Sequence, residues 1–225
     1  MEEIKDNPIL TTHQKALLSR FAAWPQAPNF YLTGGTSLSA FYLQHRLSED
    51  LDFFSLGDVE VEPVIAFLRP LPEVEDFAFE KKFERRIFLI RYKDGAHLRA
   101  EFTRYPFETI KPFKIVGGIQ VDSMIDILVN KLMALTDRKD VKDYVDIYFI
   151  LKEFPDRSLD ELIQMAERKF GIKGLKYILQ GRFLECPQDA EMLNMRKVCD
   201  GKETAAFFKE LSRTLIKGEI DNEEI

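Results

Sequence analysis

The chain has 225 residues, 45% of them hydrophobic and 31% charged, a mixture that fits a globular protein and excludes a disordered or collagen-like one. Its 38 Asp and Glu outweigh its 32 Lys and Arg, giving a formal charge of −6, which argues against a general nucleic-acid coat because such a protein needs a basic face to neutralise phosphates. The length suits one large domain or two small ones, with enough apolar residues to build a core without staples, and Phe supplies 19 of the aromatic residues.

Thr11, with Gln14 three residues on, has the spacing of a capping box, and Ala16, Leu17, Phe21 and Ala22 follow at helical intervals, which predicts a helix over 12–23. Pro25 and Pro28 end it. Phe30-Tyr31-Leu32 reads as a short strand that stops at Gly34-Gly35. Thr36 is the expected cap of a helix reaching His45, with Leu38, Phe41 and Tyr42 on one face. Asp50-Leu51-Asp52-Phe53-Phe54 alternates acidic and apolar residues, the pattern of a half-buried strand. A helix near 60–69 should end at Pro70 and Pro72. Strands are expected near 75–82, 86–93 and 97–104, with Arg86-Ile87-Phe88-Leu89-Ile90 the most buried in character. Asp94-Gly95 joins the last two as a hairpin, and Gly117-Gly118 marks another turn.

From Asp122 helical periodicity takes over, with Ile125, Leu128, Val129 and Leu132 on one stripe and further helices near 140–152, 158–170, 173–182 and 203–217. The expected architecture is α+β: a mixed sheet with flanking helices over residues 1–121, then a helical domain over 122–225 that closes a cleft against it. No repeat and no Pro/Gly/Ser-rich linker is visible. Residues 218–225 hold four acids and no base and are expected to fray.

Cys186 and Cys199 are too few for a disulfide framework and lack metal-ligand spacing, so a reduced, cytoplasmic setting is the default. The opening MEEIKDNPIL carries three acids and no long apolar run, so no signal peptide is expected. No stretch approaches the roughly 18 apolar residues of a membrane helix, and no membrane association is expected. The histidines, His13, His45 and His97, are too scattered for a zinc site.

Two short motifs carry chemistry. Asp50 and Asp52, at i and i+2 on a strand, project from the same face, and two adjacent carboxylates repel unless a cation lies between them. An oxygen-only donor set of this kind suits Mg²⁺, one ion or two. The plain alternative is a solvated edge with two acids. Just upstream, Gly34-Gly35-Thr36-Ser37 falls at a strand-to-helix turn. Glycines let a ligand approach the backbone, and a helix start offers unpaired N–H groups to phosphate. It is neither a Walker A loop, since no Gly-Lys-Ser/Thr follows, nor the dinucleotide fingerprint, since the third glycine is missing.

Leu32-Thr33-Gly34-Gly35-Thr36-Ser37-Leu38, then His45-Arg46-Leu47-Ser48-Glu49-Asp50-Leu51-Asp52-Phe53-Phe54, resembles the AbiEii/AbiGii toxin family, nucleotidyltransferase-fold proteins of bacterial toxin–antitoxin and phage-abortive systems. Lys131-Leu132-Met133-Ala134-Leu135, then Arg138, then Lys142-Asp143-Tyr144-Val145-Asp146-Ile147-Tyr148, is similar to the family's later Lys…Arg…Asp-x-x-Asp motif. The resemblance covers roughly residues 10–155, and the last 70 residues look only like a generic helical region.

The resemblance implies a nucleotidyltransferase fold, an NTP substrate, Mg²⁺, and transfer of a nucleoside monophosphate to an acceptor hydroxyl. For related toxins that acceptor is the 3′ end of tRNA, and a cognate antitoxin protein is the expected partner. By residue, Asp50, Asp52 and Glu101 would hold metal, Glu101 being the candidate third carboxylate. Gly34, Gly35, Thr36, Ser37, Arg46, Lys131 and Arg138 would bind the nucleotide. Lys131 and Asp146 would take part in catalysis, with Asp143 and Asp146 orienting the cations. Lys131 and Arg138 are seven apart and should share a helix face. Two other readings stay open: a protein side chain as acceptor, or a non-catalytic nucleotide- or RNA-binding module that acts through a partner. Residues 81–104 hold eight Lys and Arg against three acids, and residues 166–182 five against one. Either is an RNA-facing patch or an ordinary solvated surface.

Overall fold

The capping box forms as its spacing predicts. In α2 (Thr12–Phe21), which follows the short α1 (Glu2–Lys5), the Thr11 hydroxyl accepts from the Gln14 N–H at 3.2 Å and the Gln14 side chain accepts from the Thr11 N–H at 2.9 Å. Gln14 is fully buried, and its amide nitrogen also donates to the carbonyls of Ser48 (2.8 Å) and Glu49 (3.2 Å). One side chain therefore starts a helix and ties down the segment that leads into the acidic strand.

The computed structural model describes residues 2–189 and 193–223. They fall into two compact units, Met1–Ser123 and Met124–Ile225. The first holds a mixed seven-stranded sheet. β1 (Tyr31–Thr33) runs into α3 (Gly34–Leu38), which continues as a π-helical turn, Ser39–Leu43, and ends at Gln44 in the left-handed region, φ 50°. Then come β2 (Leu51–Ser55), α4 (Val61–Leu68), β3 (Val74–Lys82), β4 (Arg85–Tyr92), β5 (His97–Arg104), β6 (Lys114–Val116) and β7 (Ile119–Val121). The strand order is β3-β4-β5-β2-β1-β7-β6; β2 pairs parallel with β5 and β1 with β7, and the other pairs are antiparallel.

Period-2 alternation sorts the side chains of this sheet. Leu51 and Phe53 on β2, Phe88 and Ile90 on β4, and Ala100 and Phe102 on β5 are buried in the core. Phe53 lies between Phe21 (ring centroids 4.3 Å apart) and Phe102 (4.8 Å), both stacked on it. The intervening residues, Asp52 on β2 and Arg99, Glu101 and Thr103 on β5, project from the opposite face. On β4, Leu89 belongs to that face and is 52% exposed, so this segment is less uniformly buried than its sequence suggests.

Two expectations change. The helix after β1 begins at Gly34 rather than beyond Thr36, because Gly34 adopts φ +75° and turns the chain from strand to helix within one residue. The Thr36 hydroxyl donates instead to the Asp50 carbonyl. The β6–β7 hairpin around Gly117-Gly118 was visible only as a turn, since three-residue strands are too short to show a period.

The second unit holds α5 (Met124–Asp137), α6 (Val141–Glu153), α7 (Leu159–Phe170), α8 (Leu175–Leu184) and α9 (Gly201–Glu223). Asp140 caps α6 through the Lys142 N–H (3.0 Å), and α7 stops at Gly171 in the left-handed region, φ 65°. Arg138 lies just past the end of α5, not within it. Tyr144 and Phe183 pack on Phe208 at centroid distances of 5.2 and 5.3 Å. α9 runs to Glu223, past the expected start of fraying; residues 224–225 lie outside the described residues. Cys186 and Cys199 are free thiols, and burial pushes that of Cys186 up to about 12. Among the described residues, no helix is long and apolar enough to cross a membrane.

Gln14→Ala removes a cap partner and takes a donor from the carbonyls of Ser48 and Glu49. It should lower unfolding free energy by about 1–3 kcal/mol in a urea titration. An unchanged midpoint would show that this network carries no stability.

Candidate active site

The β1–β2 register sets Thr33 opposite Asp52, so the turn after β1 starts beside that carboxylate. A Cβ on Gly34 would collide with Asp52 Oδ2, and one on Gly35 with Arg46 Nη2, the Ser48 hydroxyl being 3.1 Å away. The glycine pair thus makes room for an acid and a base as well as turning the chain. Thr36 and Ser37 are buried. Arg46 is also buried, with Nη1 donating to the Leu47 carbonyl at 3.0 Å. The end of β1 is fixed by Asp122, which accepts from the Thr33 hydroxyl at 2.7 Å.

Asp50 and Asp52 come off the same side of β2, Asp50 just before the strand with its side chain 41% exposed and Asp52 half-buried. Glu101 is in register with Asp52 on the parallel neighbour β5. The three predicted carboxylates therefore share a face. Glu101, however, is only 3% exposed and already bound. Its Oε1 accepts from Arg85 Nε and from the Thr103 hydroxyl (2.8 Å); its Oε2 accepts from Arg85 Nη2 (2.6 Å) and Arg99 Nη2 (2.5 Å). Burial alone would raise the Glu101 carboxyl, but hydrogen bonds from Arg85 and Thr103, with the charges of Arg85 and Arg99, outweigh it and hold the group below the usual carboxylate range. Arg99 Nη1 also reaches Asp50 Oδ2 at 3.3 Å.

Among the described residues, no three His, Cys, Asp or Glu side chains come together as a group able to hold a metal ion. The expected three-carboxylate set is not assembled, because Glu101 faces arginines. The pair Asp50 and Asp52 does fit Mg²⁺, which is commonly held by one or two carboxylates together with substrate phosphates.

In the second unit, the later motif is a charge cluster. Lys131 Nζ lies 2.9 Å from Asp143 Oδ1 and 2.6 Å from Asp146 Oδ2, all three buried. Arg138 Nε reaches the other oxygen of Asp143 at 2.7 Å. Burial would raise the Asp143 carboxyl, but Lys131 and Arg138 together hold it below its ordinary value of 3.8. Sequence reading missed a second buried pair, Lys169 with Asp126 at 2.8 Å, because nothing in either residue's neighbours marks it. It also missed Arg85 and Arg99, although the alternation Arg99, Glu101, Thr103 would have put those three on one face. Several bases of the 81–104 cluster are paired: Arg85 and Arg99 with Glu101, Arg91 with Glu75 (3.3 Å), and Arg104 with Asp58 (3.0 Å).

Residues 16–217 match the model of a family described as nucleotidyl transferase AbiEii toxin, Type IV TA system. The match extends through most of the C-terminal helices, well past the region where the motifs alone carried the resemblance. The uncharacterized protein aq_aa25 of Aquifex aeolicus is 26% identical over 161 residues, covering 72% of this chain and 76% of its own length. The crystal structure of JHP933 from Helicobacter pylori superposes with a TM-score of 0.62 at 18% identity, covering 100% of this chain and 96% of that one. A candidate nucleotidyltransferase from the same organism gives 0.62 at 20% identity, covering 93% and 97%. These likenesses establish the nucleotidyltransferase-like fold.

Gly34→Ala has to strain a left-handed φ and displace Asp52, whereas Gly35→Ala has to displace the buried Arg46 guanidinium without straining φ. Gly34→Ala is expected to cost about 1–3 kcal/mol and to lower any Asp52-dependent ligand binding more than Gly35→Ala does. Equal behaviour of the two in a thermal melt and a binding titration would refute that ranking. The Asp143 shift has a defined sign: a depressed folded pKa gives stability that is present above 3.8 and lost as pH falls through the folded value. The wild type should therefore lose Tm more steeply than Asp143→Asn between about pH 5 and pH 3. Parallel curves would contradict it.

Proposed function

The chain belongs to the AbiEii nucleotidyltransferase toxin family, and we propose that it transfers a nucleoside monophosphate from an NTP to the 3′ hydroxyl of tRNA with Mg²⁺. The observation that carries the reading is the pair Asp50 and Asp52, two partly exposed carboxylates on one side of a strand and beside the side-chain-free Gly34. Their oxygens would hold Mg²⁺, which when bound polarises phosphate oxygens and lowers the pKa of a coordinated hydroxyl.

The chain's own residues supply position. The Phe53 stack behind β2 keeps both carboxylates on the open face. Thr36 and Gln14 fix the backbone that carries them, and Gly34 and Gly35 let Asp52 and Arg46 pack directly against the turn. Lys131, Arg138 and Asp146 of the second unit are assigned to the same reaction, the cations offsetting charge on the leaving pyrophosphate. A cognate antitoxin is the proposed partner and the cytoplasm the proposed site of action.

The test is label transfer. Wild type and the Asp50→Ala/Asp52→Ala double variant are incubated with Mg²⁺, each α-labelled NTP in turn, and total tRNA or total cell protein. Label on tRNA that disappears in the variant is expected, with a loss of about 10³-fold or more. Label on protein would move the acceptor to a side chain. NTP binding with no label anywhere would overturn the transferase reading.

A further inference from the structure

We propose that Glu101 is not a metal ligand but the anion that seats Arg85 and Arg99 as a phosphate-binding pair beside Asp50, the metal being held by Asp50 and Asp52 without it. The proposal rests on the nucleotidyl-transfer reading only for the identity of the phosphate.

Four donors converge on Glu101: Arg85 twice, Arg99 once and the Thr103 hydroxyl once. An ionised carboxylate has about four acceptor directions, so the group is saturated. A metal could reach it only by displacing a guanidinium from a buried site. Strand pairing holds the donors in place: Arg85 faces Thr103 across the β4–β5 ladder, and Arg99 precedes Glu101 by two residues on β5, which brings them to one face.

Arg99 also reaches Asp50 Oδ2 at 3.3 Å, which brings the pair of guanidinium groups beside the metal carboxylates. Both arginines can be reached from solvent, Arg85 at 40% and Arg99 at 27% exposure. A rigid guanidinium fork matches phosphate geometry, and its affinity for phosphate needs no metal. The phosphate could come from the NTP or from the backbone of a nucleic-acid acceptor.

The test separates metal from anion. Mn²⁺ binding without nucleotide, followed by electron paramagnetic resonance, is compared for the full-length wild type, Glu101→Gln and Asp52→Asn. Binding of tripolyphosphate and of a short oligoriboadenylate in EDTA is measured by calorimetry for the wild type, Glu101→Gln, Arg85→Gln, Arg99→Gln and the surface control Arg213→Gln. Circular dichroism confirms the fold, and the arginine variants carry the test if Glu101→Gln does not fold.

The expected result is Mn²⁺ affinity in Glu101→Gln within about twofold of wild type and abolished in Asp52→Asn. Anion affinity should fall about tenfold or more in Glu101→Gln, Arg85→Gln and Arg99→Gln, and stay unchanged in Arg213→Gln. Loss confined to tripolyphosphate assigns the pair to the NTP, and loss confined to the oligonucleotide assigns it to the acceptor. Mn²⁺ lost in Glu101→Gln as in Asp52→Asn, no Mn²⁺ bound by the wild type, or anion affinity untouched by the arginine variants would each overturn the proposal. These binding results with no label transfer would sink the transferase reading alone.

Discussion

The carboxylate of Asp52 occupies the space that any side chain at Gly34 would need, and the local geometry of the first unit follows from that approach. The β1–β2 register that opposes Thr33 to Asp52 puts the next residue against the acid, so it must be glycine. Its φ of +75° then allows the chain to enter a helix at once. That early start carries Thr36 to the Asp50 carbonyl, while α2 reaches the two preceding carbonyls, of Ser48 and Glu49, through Gln14. The acidic segment is thus held from two helices by hydrogen bonds to its main chain. Slipping β2 by one residue would bury both acids and expose Phe53, whose stack with Phe21 and Phe102 makes that exchange costly.

Buried charge shapes the rest of the site. Taking one ion out of water costs several kcal/mol unless it is paired and hydrogen-bonded. Glu101 meets that condition with two arginines and a hydroxyl, and Lys131 with two aspartates. The cost of breaking such groups therefore exceeds the worth of any one contact in them, because each deletion strands the opposite charge. This is why variants at these positions need a fold measurement beside the functional one.

Much of the fold was legible because it rests on local patterns. The alternation of Asp50 through Phe54 placed the acids on one side and the core on the other, and the Thr11–Gln14 spacing placed a cap that formed. What the sequence concealed depends on register between distant segments. Arg85 reaches Glu101 only because β4 pairs with β5 at a particular offset, and Thr36 finds Asp50 across 14 residues. Arg138 was placed on a helix face by counting, yet it reaches Asp143 from just beyond the end of α5. The β6–β7 hairpin gave no periodic signal in three-residue strands, and Lys169 and Asp126 look like ordinary polar positions on amphipathic helices.

The two charge clusters differ in exposure. Lys131, Asp143 and Asp146 are buried together, and Arg138 reaches Asp143 from a side chain that is half in solvent. Arg85 and Arg99 share one buried anion, Glu101, and both keep part of their surface in solvent, with Arg99 also making a long contact to the half-exposed Asp50. An arriving phosphate replaces that contact at little cost, while a metal on Asp50 and Asp52 would release Asp50 from it and leave Arg99 to the phosphate. Solvent access to both guanidinium groups is therefore what recommends the face that already carries the two carboxylates for an incoming anion, as proposed.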